Sequence, residues 1–232
     1  MLANGVPLHG DRSFSLTVNP TLNEDRRVMI LETADGRVMA AVTPALEGRL
    51  DLIRRPVNSP DAFRQRLNEF GVALHGADCL FYFSDAGKHS LQDDQPGGTR
   101  RLTGGDQAAF AKFCSSAAAQ DMESAYVELD HWAVFGVFEQ NRLVSAASAY
   151  PWEGVQVADL GVLTLEPFRG RGHARELVRS ISKYAIGQGY EPQYRCQIDN
   201  EASLAVARAA GLTLFGRWEV GAPNSTDVPS SA

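Results

Sequence analysis

The sequence predicts an α+β (α/β) fold: a mixed, mostly antiparallel sheet flanked by helices and preceded by a smaller α/β N-terminal domain. Apolar runs of strand length recur along the 232 residues, and two pairs of them are joined by short polar turns, as in antiparallel hairpins. Residues 172–188 place apolar side chains at helical spacing. The polar stretch 84–99, with Pro96-Gly97-Gly98, separates two regions of apolar pattern, so we place a domain boundary between residues 97 and 98.

Residues 1–97 are predicted to form the N-terminal α/β domain, whose role the sequence does not reveal. Asp35-Gly36 tolerates the positive φ of a tight turn and joins two apolar runs into a hairpin. A helix is expected to start at Ser59-Pro60, since proline suits a first helical turn, and to stop at Gly71. The expected strands are residues 27–33, 38–43 and 79–83.

Residues 98–220 are predicted to form the second domain, in which strand-like runs alternate with helical patterns. Asn200 is expected to cap the last helix and Gly211 to end it. The expected strands are residues 100–103, 132–138, 143–150, 159–165, 193–198 and 212–220. The expected helices begin near residues 106, 172 and 200. Residues 221–232 are expected to be a disordered tail.

Composition narrows the class of partner. A net charge of -6 and a pI near 5.4 argue against a nucleic-acid surface, which needs a basic stripe, and favour small molecules. Cys79, Cys114 and Cys196 have no metal-ligand spacing, so neither a metal site nor a disulfide framework is expected. No apolar run is long enough for a membrane span and no secretion signal is evident, so we expect a cytoplasmic protein. The sequence leaves open whether the protein forms a homodimer.

The segment LTLEPFRGRGHARELVRSISKYA, residues 163–185, has the composition of an anion site. The start of a helix exposes unpaired N–H groups, and glycines at 170 and 172 let an anion approach them. The segment also carries several arginines, at positions 169, 171, 175 and 179. From charge and glycine alone, a phosphate site and a solvated helix face stay equally open.

Two common phosphate-binding designs fail on the residues present. A dinucleotide fingerprint needs a third glycine where Arg175 stands, and the hairpins replace the crossover helices that a Rossmann-type domain needs. A P-loop needs Gly-Lys-Ser/Thr, which is absent.

The pattern Arg169-x-x-Gly172-x-Ala174 resembles the Q/R-x-x-G-x-G/A signature of the GNAT superfamily of N-acetyltransferases. The order of predicted elements over residues 99–220 is similar to that family, and the later segment 200–212 has the family's asparagine-led helix that ends in glycine. The resemblance leaves residues 1–97 unexplained, although some members look similar in having an extra N-terminal domain. It therefore implies a GNAT-like catalytic domain over residues 98–220.

The resemblance implies binding of acetyl-CoA as co-substrate, without a metal. Carried over position by position, the turn would hold the diphosphate, the preceding strand would offer backbone groups to the pantetheine, and the later helix would lie beside the cofactor. The turn residues are Arg169, Gly170, Arg171, Gly172, His173 and Ala174, the strand residues are Leu163, Thr164 and Leu165, and the helix residues are Asn200 and Ser203. Helix capping is an equally good reading for Asn200.

The expected reaction is direct attack of a small-molecule amine on acetyl-CoA. The amine must lose its proton, and Asp159 at the start of the motif strand is the candidate general base, with a surface carboxylate as the plain alternative. Tyr150, Glu128 and His131 are further candidates. Many family members carry a tyrosine acid where this chain has Ala207, which leaves open a catalytically silent CoA-binding module for regulation or assembly.

Overall fold

The computed structural model describes residues 5–94, 97–152 and 154–222, which fall into two compact units. Among the described residues, the first unit comprises 5–79 and 215–222, and the second comprises those between 80 and 214. The units divide between residues 79 and 80 and between residues 214 and 215, not between 97 and 98. The domain bounds 1–97 and 98–220 stay a prediction.

The first unit contains a five-stranded sheet in the order β1-β2-β4-β3-β11 among its described residues. Strands β2 and β4 are parallel, whereas β1–β2, β3–β4 and β3–β11 are antiparallel. The strands are β1 (Val6–Gly10), β2 (Phe14–Val18), β3 (Val28–Thr33), β4 (Val38–Val42) and β11 (Thr213–Val220).

Two helices complete the core of the first unit: α1 (Pro44–Leu50) and α2 (Pro60–Glu69). Each starts with a proline behind a hydroxyl cap, because Thr43 and Ser59 accept hydrogen bonds from the third residue after them. Apolar side chains of both helices meet those of the sheet in one cluster that includes Phe14, Ile30 and Phe63. The α/β character predicted for the N-terminal region is confirmed.

The second unit contains a mostly antiparallel sheet in the order β5-β10-β9-β8-β7-β6. In this sheet β9 and β10 are parallel, while β6–β7, β7–β8 and β8–β9 are antiparallel. The strands are β5 (Asp78–Tyr82), β6 (Thr99–Arg101), β7 (Ala133–Glu139), β8 (Arg142–Pro151), β9 (Val157–Thr164) and β10 (Glu191–Gln197). The mixed, mostly antiparallel sheet is as predicted.

Five helices belong to the second unit among the described residues. They are α3 (Asp85–Asp93), α4 (Gln107–Ser116), α5 (Ala119–Ala125), α6 (His173–Gly187) and α7 (Glu201–Ala210). Helix α6 packs on β7, β8 and β9, and it buries Leu177, Val178, Ile181 and Ala185, the face predicted from the spacing. Phe110 and Phe113 of α4 enter a separate apolar cluster with Leu163 and Leu165.

The stretch 84–99 is not the irregular linker that its polarity predicts, because α3 occupies residues 85–93. Ser84 accepts a hydrogen bond from the Gly87 N–H and so caps this helix, and Leu91 is buried. One buried leucine is too little for a periodic pattern, which is why the sequence prediction was wrong here.

Two further predictions concern the C-terminal tail and membrane-spanning helices. The tail predicted at residues 221–232 lies outside the described residues from position 223 onward. Over the described ranges, no helix has the length and apolarity needed to cross a membrane.

Candidate functional site

A cavity of about 990 Å³ opens in the second unit between the start of α6, the helices α5 and α7, and the ends of β9 and β10. The turn before α6 forms one wall with all six of its predicted residues, 169–174. Leu163 and Thr164 line it from β9, and Asn200 and Ser203 line it from α7. Most residues predicted for cofactor binding are therefore brought together in one place.

The cavity exists because β9 and β10 part. Their parallel register runs from Val157 opposite Glu191 to Leu160 opposite Tyr194. Strand β9 then continues to Thr164 in register with β8, whose Ser145 lies opposite Thr164. The edge of β9 that faces away from β8 is thus turned toward the cavity over its last three residues, 162–164. Such an edge presents backbone groups that an extended ligand can pair with.

The start of α6 offers unpaired N–H groups to the cavity. Its cap residue is Gly172, at φ +88°, and within the described structure no side chain caps this end. The first hydrogen bond along α6 is donated by the Glu176 N–H to the Gly172 carbonyl. The N–H groups of residues 173–175 therefore have no partner within the helix. No atom lies within 4 Å of a Cβ built on Gly170 or Gly172. The turn therefore combines amides, the positive helix end and room for an anion.

Arginines bring positive charge to the same wall. Arg169, Arg171 and Arg175 all line the cavity. Arg169 donates to the Thr164 carbonyl at 3.1 Å and to Asp121 of α5 at 2.7 Å, which joins the turn to the opposite wall. The Arg169–Asp121 pair is about half exposed on both sides, so it contributes little stability and can rearrange around a ligand.

Glu139, at the end of β7, holds the turn from behind. Its carboxylate accepts hydrogen bonds from Arg171 Nη1 at 2.8 Å and from His173 Nε2 at 2.7 Å. The hydrogen bond from His173 is the main reason why the pKa of Glu139 lies below its ordinary value. The pairing is therefore present at neutral pH and is lost only as the pH falls through that lowered pKa. His173 therefore helps to hold the turn in place through Glu139.

Replacement of Glu139 by alanine is expected to loosen the turn. Arg171 and His173 lose their shared acceptor, so we expect trypsin to cleave after Arg169 and Arg171 several-fold faster, as followed by mass spectrometry. Glu166→Ala, which removes an exposed carboxylate in the 3-10 turn just before Arg169, is the matched control. Equal cleavage rates in the two variants would show that Glu139 does not order this segment.

Asn200 caps α7, as one of the two readings of its sequence position predicted. Its side chain accepts a hydrogen bond from the Ser203 N–H at 3.0 Å, and Gly211 ends the helix in the left-handed conformation. Both Asn200 and Ser203 also line the cavity, so the cap lies at its rim.

Asp159 lies in a different environment from the other predicted site residues. It is 2 % exposed and does not belong to the cavity lining. Its carboxylate accepts hydrogen bonds from the Tyr150 hydroxyl at 3.0 Å, from Gln193 Nε2 at 3.1 Å and from Arg195 Nη2 at 3.0 Å. This network ties β8, β9 and β10 together on the strands where they are still paired. The role of Asp159 as a general base stays a prediction.

One residue that the sequence associated with the anion, Arg179, and one that it associated with the pantetheine, Leu165, lie elsewhere. Arg179 donates to both oxygens of Asp94, at 2.6 and 2.9 Å, and to the Ala210 carbonyl at 2.8 Å, so it joins helices rather than adding free charge to the cavity. Leu165 is 2 % exposed within the apolar cluster under α4, and its N–H donates to the Val144 carbonyl. It does not line the cavity, although its neighbours Leu163 and Thr164 do.

The remaining acid–base candidates lie close to one another, and one of them, Tyr150, contacts Asp159. The rings of Tyr126, His131 and Tyr150 lie 5.0–5.2 Å from one another. Burial lowers the pKa of His131 and raises the pKa of Tyr150 to about 12, so both are neutral near pH 7. His131 Nδ1 lies 2.8 Å from the Ser148 hydroxyl, and its Nε2 is 3.6 Å from Glu128.

Sequence reasoning missed the wall that α5 contributes. Gln120, Asp121, Ser124 and Ala125 of this helix line the cavity. The helix has seven residues, no side-chain cap and no buried residue, so neither a start signal nor an apolar face marks it.

The comparisons with known proteins agree with this architecture. Residues 107–212 match the acetyltransferase (GNAT) family model, and this range includes the cavity. The fold and the cavity thus define a domain of the GNAT class. The GNAT resemblance that the signature predicts is thus found over residues 107–212, and the chain carries an additional N-terminal region before them. No curated protein matches the chain.

Two solved structures of GNAT-family proteins are similar to parts of this chain. A GNAT-family acetyltransferase from Colwellia psychrerythraea superimposes with a TM-score of 0.54 at 16 % identity, over 82 % of this chain and 79 % of that one. A GNAT-family protein from Novosphingobium aromaticivorans gives a TM-score of 0.46 at 16 % identity. The match with the second protein spans 65 % of each chain.

Proposed function

We propose that this protein transfers an acetyl group from acetyl-CoA to an amine of a small molecule. The observation that carries the proposal is the cavity in which an uncapped helix start, two glycines and three arginines face the open edge of a parting strand. A diphosphate joined to a long amide-bearing arm needs these two features in this order. The family to which the domain belongs supports the same reaction class.

The residues of the cavity suit coenzyme A in size and charge. A volume of about 990 Å³ lies at the upper end of the range for ligand pockets. In the proposed complex, the N–H groups from Gly170 to Arg175 hold the diphosphate, and the free edge of β9 at Leu163 and Thr164 pairs with the pantetheine amides. When bound, acetyl-CoA supplies the activated acetyl group, and the chain holds its thioester in position for attack by the amine.

Direct transfer needs no covalent intermediate on the protein. The amine nitrogen attacks the thioester carbonyl, the carbon–sulfur bond breaks, and the amine proton passes to a base. We propose Asp159 as this base, acting either directly or through Tyr150, to which it is hydrogen-bonded. We also propose that the protein is cytoplasmic and that its acceptor is a small molecule.

Asp159→Asn tests which part Asp159 plays. The variant replaces a buried carboxylate that accepts hydrogen bonds from three side chains, and it removes the charge that faces Arg195, so we expect the free energy of unfolding to fall by roughly 2 kcal/mol. If Asp159 is also the base, the acidic limb of the pH–rate profile disappears in this variant. An unchanged pH profile with lowered stability would limit Asp159 to a structural role.

Calorimetry with acetyl-CoA, followed by thioester cleavage over a panel of amines, tests the proposed function. We expect micromolar binding and turnover with at least one amine. Binding of CoA without turnover on any amine would instead favour a silent CoA-binding module, and the absence of binding would remove both readings.

A further inference from the structure

Of the three arginines that line the cavity, two are already engaged by carboxylates of the chain itself. Arg169 donates to Asp121, and Arg171 donates to Glu139. Arg175 lines the same cavity, but within the described part of the chain its side chain has neither a hydrogen bond nor an ion pair. Arg175 is also exposed, so its guanidinium keeps its N–H donors and its charge for a ligand.

Asp94 does not neutralise Arg175. The pKa of Asp94 lies below its ordinary value mainly because Arg179 hydrogen-bonds to both of its carboxylate oxygens, at 2.6 and 2.9 Å. The charge of Arg175 makes only a smaller contribution to the same shift. The carboxylate of Asp94 is therefore committed to Arg179, and the charge of Arg175 stays available at the cavity.

Arg175 extends from α6 toward the C-terminal end of α7. It lies one helical turn before Arg179, so both side chains leave the same face of α6. Arg179 donates to the Ala210 carbonyl at the end of α7, at 2.8 Å. The preceding residue, Ala209, lines the cavity together with Arg175. The free guanidinium thus belongs to the wall near the end of α7, whereas the pantetheine is proposed to lie along β9.

Coenzyme A carries anionic groups at two places. Its diphosphate joins the pantetheine to the adenosine, and a phosphate monoester is attached to the 3′ position of the ribose. With the diphosphate at the start of α6 and the pantetheine on β9, the adenosine extends away from β9. The amides of the turn are then occupied by the diphosphate, and the ribose phosphate needs a separate cation. A guanidinium suits it, because its planar fork can bind two phosphate oxygens at once.

We propose that Arg175 binds the 3′-phosphate of the acyl donor, and that this contact makes the protein select free acyl-CoA over donors without that group. One such donor is 3′-dephospho-CoA, and an acyl chain on the phosphopantetheine arm of a carrier protein is another. The inference rests on the proposed function, which places the diphosphate at the turn before α6. Arg175 acts on the affinity for the donor and takes no part in the transfer of the acyl group.

Calorimetry with CoA and with 3′-dephospho-CoA tests this contact in the wild type and in Arg175→Gln. Glutamine favours helix about as well as arginine, so the fold is retained. Because hydrogen bonds to charged groups are among the stronger ones, we expect the wild type to bind CoA about 20-fold more tightly than 3′-dephospho-CoA. Arg175→Gln should bind both ligands with the affinity that the wild type has for 3′-dephospho-CoA.

Arg208→Gln is the matched control, since Arg208 is an exposed arginine of α7 that does not line the cavity. It changes the net charge by the same amount and should keep the wild-type preference for CoA. An Arg175→Gln protein that keeps this preference, or that loses affinity equally for both ligands, would overturn the assignment. Equal binding of both ligands by the wild type would also overturn it and leave the proposed function standing. Failure of the wild type to bind either ligand would overturn the proposed function itself.

Discussion

Gly172→Glu is expected to weaken the binding of coenzyme A about 100-fold, with the fold retained. A side chain at this position begins in open space, so the substitution meets no atom within 4 Å. It does place a carboxylate at the uncapped start of α6, where the proposed diphosphate lies, and like charges at close range cost several kcal/mol. Because 1.4 kcal/mol is tenfold in affinity, the loss is measurable by calorimetry.

Gly189→Glu is a closely matched control for this change. Gly189, just beyond the end of the same helix, has φ +82° against +88° for Gly172, and its Cβ position is equally open. Both variants therefore carry the same charge and a similar backbone strain, of order 1 kcal/mol. Gly189→Glu should bind coenzyme A as the wild type does. Equal affinities of the two variants would place the diphosphate somewhere other than this turn.

Gly161→Ala is expected to lower the free energy of unfolding by about 3 kcal/mol and to weaken coenzyme A binding as well. A Cβ on Gly161 of β9 would lie 2.1 Å from the Ala125 carbonyl oxygen and 3.1 Å from that of Tyr126. Both are backbone atoms, so the end of α5 has to move away from the strand. Since α5 carries Gln120, Asp121 and Ser124 into the cavity, its displacement also deforms the opposite wall.

Urea unfolding and calorimetry measure the two effects of Gly161→Ala. Gly187→Ala near the end of α6 adds the same methyl group with no atom within 4 Å of it. This control should be as stable as the wild type or more stable by up to about 1 kcal/mol, because alanine favours helix. A Gly161→Ala protein with unchanged stability would contradict the close packing of α5 on β9.

The turn before α6 was predictable because its signals are local. A strand, a glycine pair and a helix with one apolar face follow each other between residues 157 and 187, and each is encoded by its own side chains. The hairpin of β7 and β8 and the capped α7 were readable for the same reason. The GNAT-like sheet then followed from the order of these elements.

The contacts that complete the site were not predictable, because they join residues distant in the chain. Arg169 and Asp121 are 48 residues apart, and Arg171 and Glu139 are 32 residues apart. Arg179 looked like free charge in the sequence because Asp94, its partner, lies in a stretch that reads as a linker. The burial of Asp159 likewise depends on which strands flank β9, and the sequence gives no measure of that.

A structure of the protein with coenzyme A bound tests the central claim most directly. The account predicts the diphosphate oxygens within hydrogen-bonding distance of the backbone N–H groups between Gly170 and Arg175, and the pantetheine along β9 at Leu163 and Thr164. Coenzyme A bound at another surface, or a cavity that stays free of it at saturating concentration, would contradict the account.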